Sequence, residues 1–114
     1  MTVTFDGVEC VSSSTEPWSG DQPIVEVVNE SDGLMALIFG TYDDGYSHSD
    51  FDQYAESWVG GEDRPDFVEA VEILEVEGSS ERNLTFIHGR GRYAVACMAQ
   101  PETLIALDDV VVGD

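Results

Sequence analysis

The stretch GRYAVACM, residues 91–98, decides how the rest of this chain is interpreted. Its aromatic, small and β-branched residues favour an extended strand, and they place Cys97 close to the far end of that strand. A second run, apolar but rich in acids, follows over residues 104–112. The only other cysteine, Cys10, ends the first strand-like run. Two cysteines far apart in sequence are therefore predicted to lie on strands.

The remainder of the chain repeats this pattern of short apolar runs separated by turn residues, which is typical of an all-β sandwich. With 114 residues, the prediction is a single domain, 1–114, of about seven strands. Strands are predicted over residues 2–10, 23–28, 34–42, 67–76, 84–87, 93–97 and 104–112. In the first of these, Val3, Phe5 and Val8 are expected to point the same way. In the fourth of these, Val71, Ile73 and Leu74 are expected to face the core, because they stand between outward-facing glutamates.

The period changes between the third and fourth strands. Phe51, Tyr54 and Trp58 follow one another at intervals of three and four residues, which places their rings on one face of a helix. We predict a short inserted helix over about residues 49–60, ended by a pair of glycines. Its aromatic face either packs on the sandwich as core or faces a ligand.

The charge of the chain excludes several classes of function. Twenty-four acidic residues stand against four arginines and no lysine, which gives a formal net charge of −20. Such a surface repels nucleic acid and anionic membranes, so neither is an expected partner. The composition is typical of a protein from a high-salt organism, where salt screens the repulsion between carboxylates.

Acidic residues concentrate around the start of the predicted helix, at Asp43, Asp44, Asp50 and Asp52. Carboxylate oxygens suit calcium, but the spacing is not that of an EF-hand, and a solvated loop accounts for the cluster equally well. Asp52 also stands three residues after Ser49, the spacing of a capping box. No metal site is predicted here.

No motif in the chain predicts catalysis. The nucleophile elbow, the P-loop and the dinucleotide fingerprint are all missing, so the protein is expected not to be an enzyme and no catalytic residue is assigned. Arg90 and Arg92 stand close together in a predicted hairpin turn. They form a small cationic spot that either binds an anion or pairs with nearby carboxylates.

The N-terminal residues 1–6 carry neither a basic region nor an apolar core, so they do not form a signal peptide. No apolar run approaches the ~18–20 residues that span a bilayer. The protein is cytoplasmic if Met1 is the native start. It is extracellular or anchored to the cell envelope, through a lipid for example, if an export segment preceded Met1 and was removed.

The order of these parts resembles the cupredoxin-like family, and in particular its copper-free secreted and lipid-anchored members. The matching segments are VTFDGVEC at residues 3–10, VEVVNESD at 25–32, DDGYSHSDFDQY at 43–54 and GRGRYAVAC at 89–97. The resemblance implies a Greek-key β-sandwich. It also implies a role in binding or structure at the cell envelope.

Copper-containing members of the family hold the metal with two histidines, a cysteine thiolate and a weakly bound methionine. In this chain Cys97 stands at the cysteine position, but no histidine occurs in residues 98–102 or 33–38, where the family places its imidazoles. The expectation is therefore that no cofactor is bound. A weaker alternative ligand set is Cys97, Met98 and His88.

The two cysteines lack the C-x-x-C spacing of a redox motif. Three hypotheses remain open from the residues: a disulfide between Cys10 and Cys97, two buried thiols, or a reactive Cys97. The resemblance to the copper-free relatives implies a pairing of cysteines at these two positions, and it therefore favours the disulfide. A disulfide implies an oxidising compartment.

Three functions follow as hypotheses. The first is a copper-free, non-enzymatic envelope domain that binds a protein or plays a structural part. The second is a copper-binding or electron-transfer cupredoxin that uses Cys97 and Met98. The third is a self-assembling surface protein whose sandwiches pack through their edges.

Overall fold

The computed structural model describes residues 2–12, 24–56, 67–86, 91–99 and 103–112. The strands are β1 (Thr2–Phe5), β2 (Cys10–Ser12), β3 (Ile24–Asn29), β4 (Met35–Tyr42), β5 (Val68–Val76), β6 (Ser80–Thr85), β7 (Gly91–Ala99) and β8 (Thr103–Val112). One helix, α1 (His48–Glu56), lies between β4 and β5. Within these described ranges, no helix is long and apolar enough to cross a membrane.

The strands form two four-stranded sheets. Sheet A has the order β2-β1-β3-β6, and sheet B has the order β5-β4-β7-β8. All pairs are antiparallel except β1 with β3, which is parallel. The chain crosses from one sheet to the other after β3, after β5 and after β6, so strands that pair are often distant in sequence. This confirms the prediction of a Greek-key β-sandwich with one short inserted helix.

The core lies between the two sheets, because alternate residues of each strand point inward. Phe39, Phe86 and Tyr93 form its aromatic centre, and the ring centroid of Phe86 lies 4.9 Å from those of Phe39 and Tyr93. The fully buried aliphatic residues around them are Val3, Val25, Val27, Leu37, Val76 and Val95. Burial of these side chains supplies most of the free energy that holds the sheets together.

The first predicted strand, residues 2–10, is wrong as one element. The chain turns at Asp6, whose carboxylate accepts hydrogen bonds from the backbone N–H groups of Val8 (2.8 Å) and Glu9 (2.7 Å). These bonds stabilise the ionised form and hold the pKa of Asp6 below its usual value. The run becomes the hairpin of β1 and β2, and Val8 is 79% exposed instead of facing the core. A side chain that binds its own backbone overrides the apolar alternation here.

A β-bulge explains a second error. The register between β4 and β5 shifts at Gly40 and leaves Val71 as an extra residue. A Cβ on Gly40 would come within 2.6 Å of a Val68 methyl group, so only glycine fits this close approach. The bulge turns Val68 toward the helix and Leu74 toward the core. Ile73, predicted to face inward, is 55% exposed on the outer face of sheet B.

Helix α1 covers part of that outer face. Ser47 and Asp50, not Ser49 and Asp52, cap its first turn. The Asp50 carboxylate accepts from the Ser47 N–H at 2.9 Å, as in a capping box, and the Asp50 N–H donates to the Ser47 backbone carbonyl at 3.1 Å. The helix therefore begins at His48. The predicted extension to residue 60 lies outside the described residues.

Candidate functional site

The disulfide joins the two sheets through the core. Cys10 begins β2 at the edge of sheet A, and Cys97 lies on β7 inside sheet B. Their sulfur atoms are bonded across a Cα–Cα distance of 6.4 Å, and no free cysteine remains. Both side chains are buried, Cys97 completely. This confirms the disulfide among the three hypotheses for the cysteines.

The residue after the cysteine points the other way. Cys97 lies opposite Leu37 in the core, whereas Met98 lies opposite Ala36 on the outer face of sheet B. Consecutive residues of a strand face opposite sides of the sheet. Cys97 and Met98 therefore do not converge on one point. His88, the third member of that alternative ligand set, lies outside the described residues.

Three turns meet at one end of the sandwich, which we call the loop end: residues 6–9, 30–34 and 77–79. Asn29 holds them together from a fully buried position. Its amide group donates to the carbonyls of Gly33 (2.8 Å) and Val76 (2.9 Å), while its oxygen accepts from the Ser31 N–H (3.0 Å) and Ser31 hydroxyl (2.6 Å). The four bonds use the full polar capacity of one amide and tie the loop of sheet A to a strand of sheet B.

Backbone contacts complete this arrangement. The Glu30 N–H donates to the Phe5 carbonyl at 2.7 Å, and the Ser79 N–H donates to the Ser31 carbonyl at 2.9 Å. A Cβ on Gly78 would lie 2.6 Å from the Asp32 carbonyl, so glycine is required where the 77–79 turn meets the 30–34 loop. The three turns of the loop end are thus held together by hydrogen bonds, and its surface is preformed.

We expect Asn29→Ala to lower the free energy of unfolding by about 2 kcal/mol, because the buried carbonyl of Val76 and the partly buried carbonyl of Gly33 lose the hydrogen bonds that the Asn29 amide donates. Urea denaturation followed by circular dichroism measures this change. Asn83→Ala is the matched control, since Asn83 is exposed on β6, and it should change stability by less than about 0.5 kcal/mol. Equal effects of the two substitutions would contradict the role given to Asn29.

Two depressions lie side by side at the loop end. One of about 320 Å³ is mainly apolar and is lined by Phe5, Gly7, Ser31, Gly33, Leu34, Ala99 and Thr103. The other, about 480 Å³, is polar and is lined by Leu34, Glu75, Glu77, Ser80 and Arg82. Leu34 borders both, and its side chain is 53% exposed.

A second polar site lies at the opposite end of β4 and was not anticipated from the sequence. The register of β7 with β8 shifts between Tyr93 and Val95. As a result Leu107 and Val110, three residues apart, both face the core. The bulge turns Asp109 onto the outer face next to α1, where its side chain is only 4% exposed.

Asp109 connects three strands and the helix. Its carboxylate accepts a hydrogen bond from the Tyr42 hydroxyl at 2.6 Å and another from the Arg92 guanidinium at 3.3 Å, while His48 Nδ1 lies 3.6 Å away. We call these four residues the Asp109 cluster. Burial raises the pKa of the Tyr42 hydroxyl well above its usual value, and the hydrogen bond to Asp109 and the negative charge of that carboxylate raise it further.

The Asp109 cluster is suited to a structural part. The carboxylate of Asp109 is covered, its hydrogen bonds join β4 and β7 to β8, and Tyr42 remains a neutral donor. His48 at the start of α1 lies beside it without a hydrogen bond to it. One signal in the sequence was available, an aspartate within an apolar strand. In a chain with 24 acidic residues that signal does not stand out.

The other predicted site residues are distributed as follows. Phe51 of α1 is buried and packs against Ala94 and Ala96 of sheet B. Tyr54 is half-buried and makes an edge-to-face contact with the ring of Phe67. Trp58 and Arg90 lie outside the described residues. Arg92 donates to a carboxylate, as given above. Among the described residues, no group of three or more histidine, cysteine or acidic side chains is placed to hold a metal ion.

Two sheets in this strand order, closed by a core disulfide and covered by one short helix, define a cupredoxin-like β-sandwich. The fold is similar to the crystal structure of dithionite-reduced auracyanin, a cupredoxin, from the photosynthetic bacterium Roseiflexus castenholzii. The TM-score is 0.54 over 99% of this chain and 95% of that chain, at 14% sequence identity. No family model and no curated protein matches the chain. The likeness establishes the fold alone.

Proposed function

We propose that this protein is a copper-free, non-enzymatic cupredoxin-like domain that binds a partner at the cell envelope. One observation carries the proposal: the Cys97 sulfur is bonded to Cys10 inside the core. A copper thiolate site needs a deprotonated cysteine whose sulfur is free to bind the metal. A sulfur in a disulfide does not supply that ligand.

The donors around the loop end agree with this. The described residues that line its two depressions offer hydroxyl, carboxylate and guanidinium groups and contain no imidazole or thiol. His48, the one histidine in the described part of the chain, lies at the other end of β4 beside Asp109. The residues present therefore do not fit a blue-copper centre, whose ligands are imidazole and thiolate.

The same disulfide supports a proposal for the compartment. Disulfides persist in oxidising environments, and a small domain outside the cytoplasm gains stability from one. This supports an extracellular or envelope location. The excess of carboxylates supports a high-salt setting, because salt at molar concentration shortens the range of their repulsion to about 3 Å.

Addition of Cu(II) to the oxidised protein is expected to produce no blue thiolate–copper absorption. The measurement is a visible spectrum during titration with copper, and a second titration after reduction of the disulfide serves as the control. We expect no blue band in that control either, because Cys97 faces a core whose described residues include no imidazole. An intense blue band in either titration would overturn the proposed function and favour the copper-binding hypothesis.

A further inference from the structure

The loop end combines features that a purely structural surface does not need. The four hydrogen bonds that Asn29 makes hold its turns in place, together with the backbone bonds from Glu30 to Phe5 and from Ser79 to Ser31. Yet these fixed turns present two large apolar side chains to solvent, Val8 and Leu34. A rigid surface loses little conformational entropy when it binds, so preformed apolar clefts favour association.

The charge around the clefts is mainly negative. Exposed carboxylates rim the loop end at Asp6, Glu9, Glu30, Asp32, Glu75 and Glu77. Among the described residues that line the two depressions, Arg82 is the one cation, and its guanidinium donates to the backbone carbonyl of Glu75 at 3.0 Å. An apolar cleft beside a carboxylate-rich depression is complementary to an apolar side chain that has a basic neighbour.

We propose that the loop end binds a basic segment of a partner polypeptide, with one apolar side chain in the cleft beside Phe5 and Ala99. A lysine or arginine next to it lies in the adjoining depression against Glu75 and Glu77. Leu34, which borders both depressions, contacts both side chains. This inference rests on the proposed function, because it names the partner of a domain that binds and does not carry electrons.

A fluorescein-labelled peptide with one leucine between two lysines on each side serves as the probe. Fluorescence anisotropy gives the dissociation constant, at the lowest salt at which circular dichroism shows the native fold. We expect Leu34→Ser to weaken binding about tenfold, which corresponds to ~1.4 kcal/mol. Ile24→Ser is the matched control, because Ile24 is similarly exposed but lies at the end of β3 opposite Asn29 and the loop end, and it should leave the constant unchanged.

The charge contribution is tested separately. The double variant Glu75→Gln/Glu77→Gln should weaken binding about fivefold, since each exposed ion pair contributes ~0.5 kcal/mol. Glu26→Gln/Glu69→Gln removes the same charge elsewhere and should have a much smaller effect. A peptide with serine in place of its leucine should bind about tenfold more weakly to the unsubstituted protein.

Amide chemical shifts locate the site, and those of Gly7, Gly33 and Leu34 are expected to move during the titration. Binding that is indifferent to the peptide leucine and to Leu34→Ser would show general attraction to an acidic protein and overturn the inference. No binding would overturn it too, while the copper titration would still decide the proposed function. A blue copper band would defeat the proposed function whatever the peptide does.

Discussion

Removal of the Cys10–Cys97 disulfide is expected to lower the free energy of unfolding by roughly 4.5 kcal/mol. The bond closes a loop with a sequence separation of 87 residues, and in the chain-entropy model a loop of this length restricts the unfolded chain by about that amount. A domain of this size has a total stability of about 5–15 kcal/mol. The loss is therefore a large share of what holds the fold together.

The measurement compares the oxidised protein, the reduced protein and the variant Cys10→Ala/Cys97→Ala by urea denaturation. Urea is the proper denaturant because it is uncharged and does not screen the carboxylates of a chain with net charge −20. The slope of free energy against urea should also rise without the bond, since an unconstrained chain exposes more surface. A loss below about 1 kcal/mol in both the reduced protein and the variant would contradict the prediction.

The second large effect is expected from Asp109→Ala, with a loss of about 2–3 kcal/mol. The substitution leaves the half-buried Tyr42 hydroxyl without its acceptor, and a hydrogen bond to a charged group contributes ~1.5–3 kcal/mol. Arg92 adds little to this figure, because its side chain is 63% exposed and water screens its attraction. Removal of a negative charge elsewhere in this chain is expected to relieve repulsion and so to raise stability. A loss of stability in Asp109→Ala therefore points to the hydrogen bonds of Asp109.

Asp44→Ala is the control, since Asp44 is exposed in a turn and its removal should be neutral or slightly stabilising. The dependence on pH gives an independent check. The folded state raises the pKa of Tyr42, so its contribution is present below pH ~10, where the unfolded phenol ionises, and is lost progressively above it. Tyr42→Phe should flatten this alkaline loss and Tyr46→Phe should not. If the free energy of unfolding depended on pH in the same way in both variants, the hydrogen bond between Tyr42 and Asp109 would be contradicted.

Much of the fold could be predicted from local patterns. Strands β3, β4 and β7 have β-branched and apolar runs bounded by turn residues, and their predicted bounds agree with the observed ones within about two residues. The helix was recognised because the spacing of Phe51 and Tyr54 breaks the strand period. These signals are local and survive in a single sequence.

The errors occur where a bulge or a side-chain hydrogen bond interrupts the period. Val8 was predicted to point the same way as Val3 and Phe5, because the turn at Asp6 was interpreted as part of a continuous strand. Ile73 was predicted to face the core on the assumption that β5 alternates without interruption. The extra residue at Val71 exchanges the two faces of β5, so Ile73 lies on the outer face. A shift of one residue moves every following side chain to the other side of the sheet.

The candidate sites also contain features that could be predicted from the sequence and features that could not. At the loop end, the lack of histidine where the resemblance expects copper ligands could be seen from the sequence. The adjoining clefts could not, because Phe5, Leu34 and Ala99 lie on three different turns or strands. The Asp109 cluster was missed entirely, since its members come from β4, β7, β8 and α1.

The sequence by itself determined the strand-rich character, the inserted helix, the acidic surface and the two cysteines available for one bond. These depend on the order of residue types along the chain and on the charge of each. Only the tertiary structure decided that Cys97 bonds Cys10 across the core, that Asp109 is covered, and that Leu34 separates two clefts. The physical reason is that pairing register and bulges set the face on which each side chain lies, and register depends on contacts between distant strands.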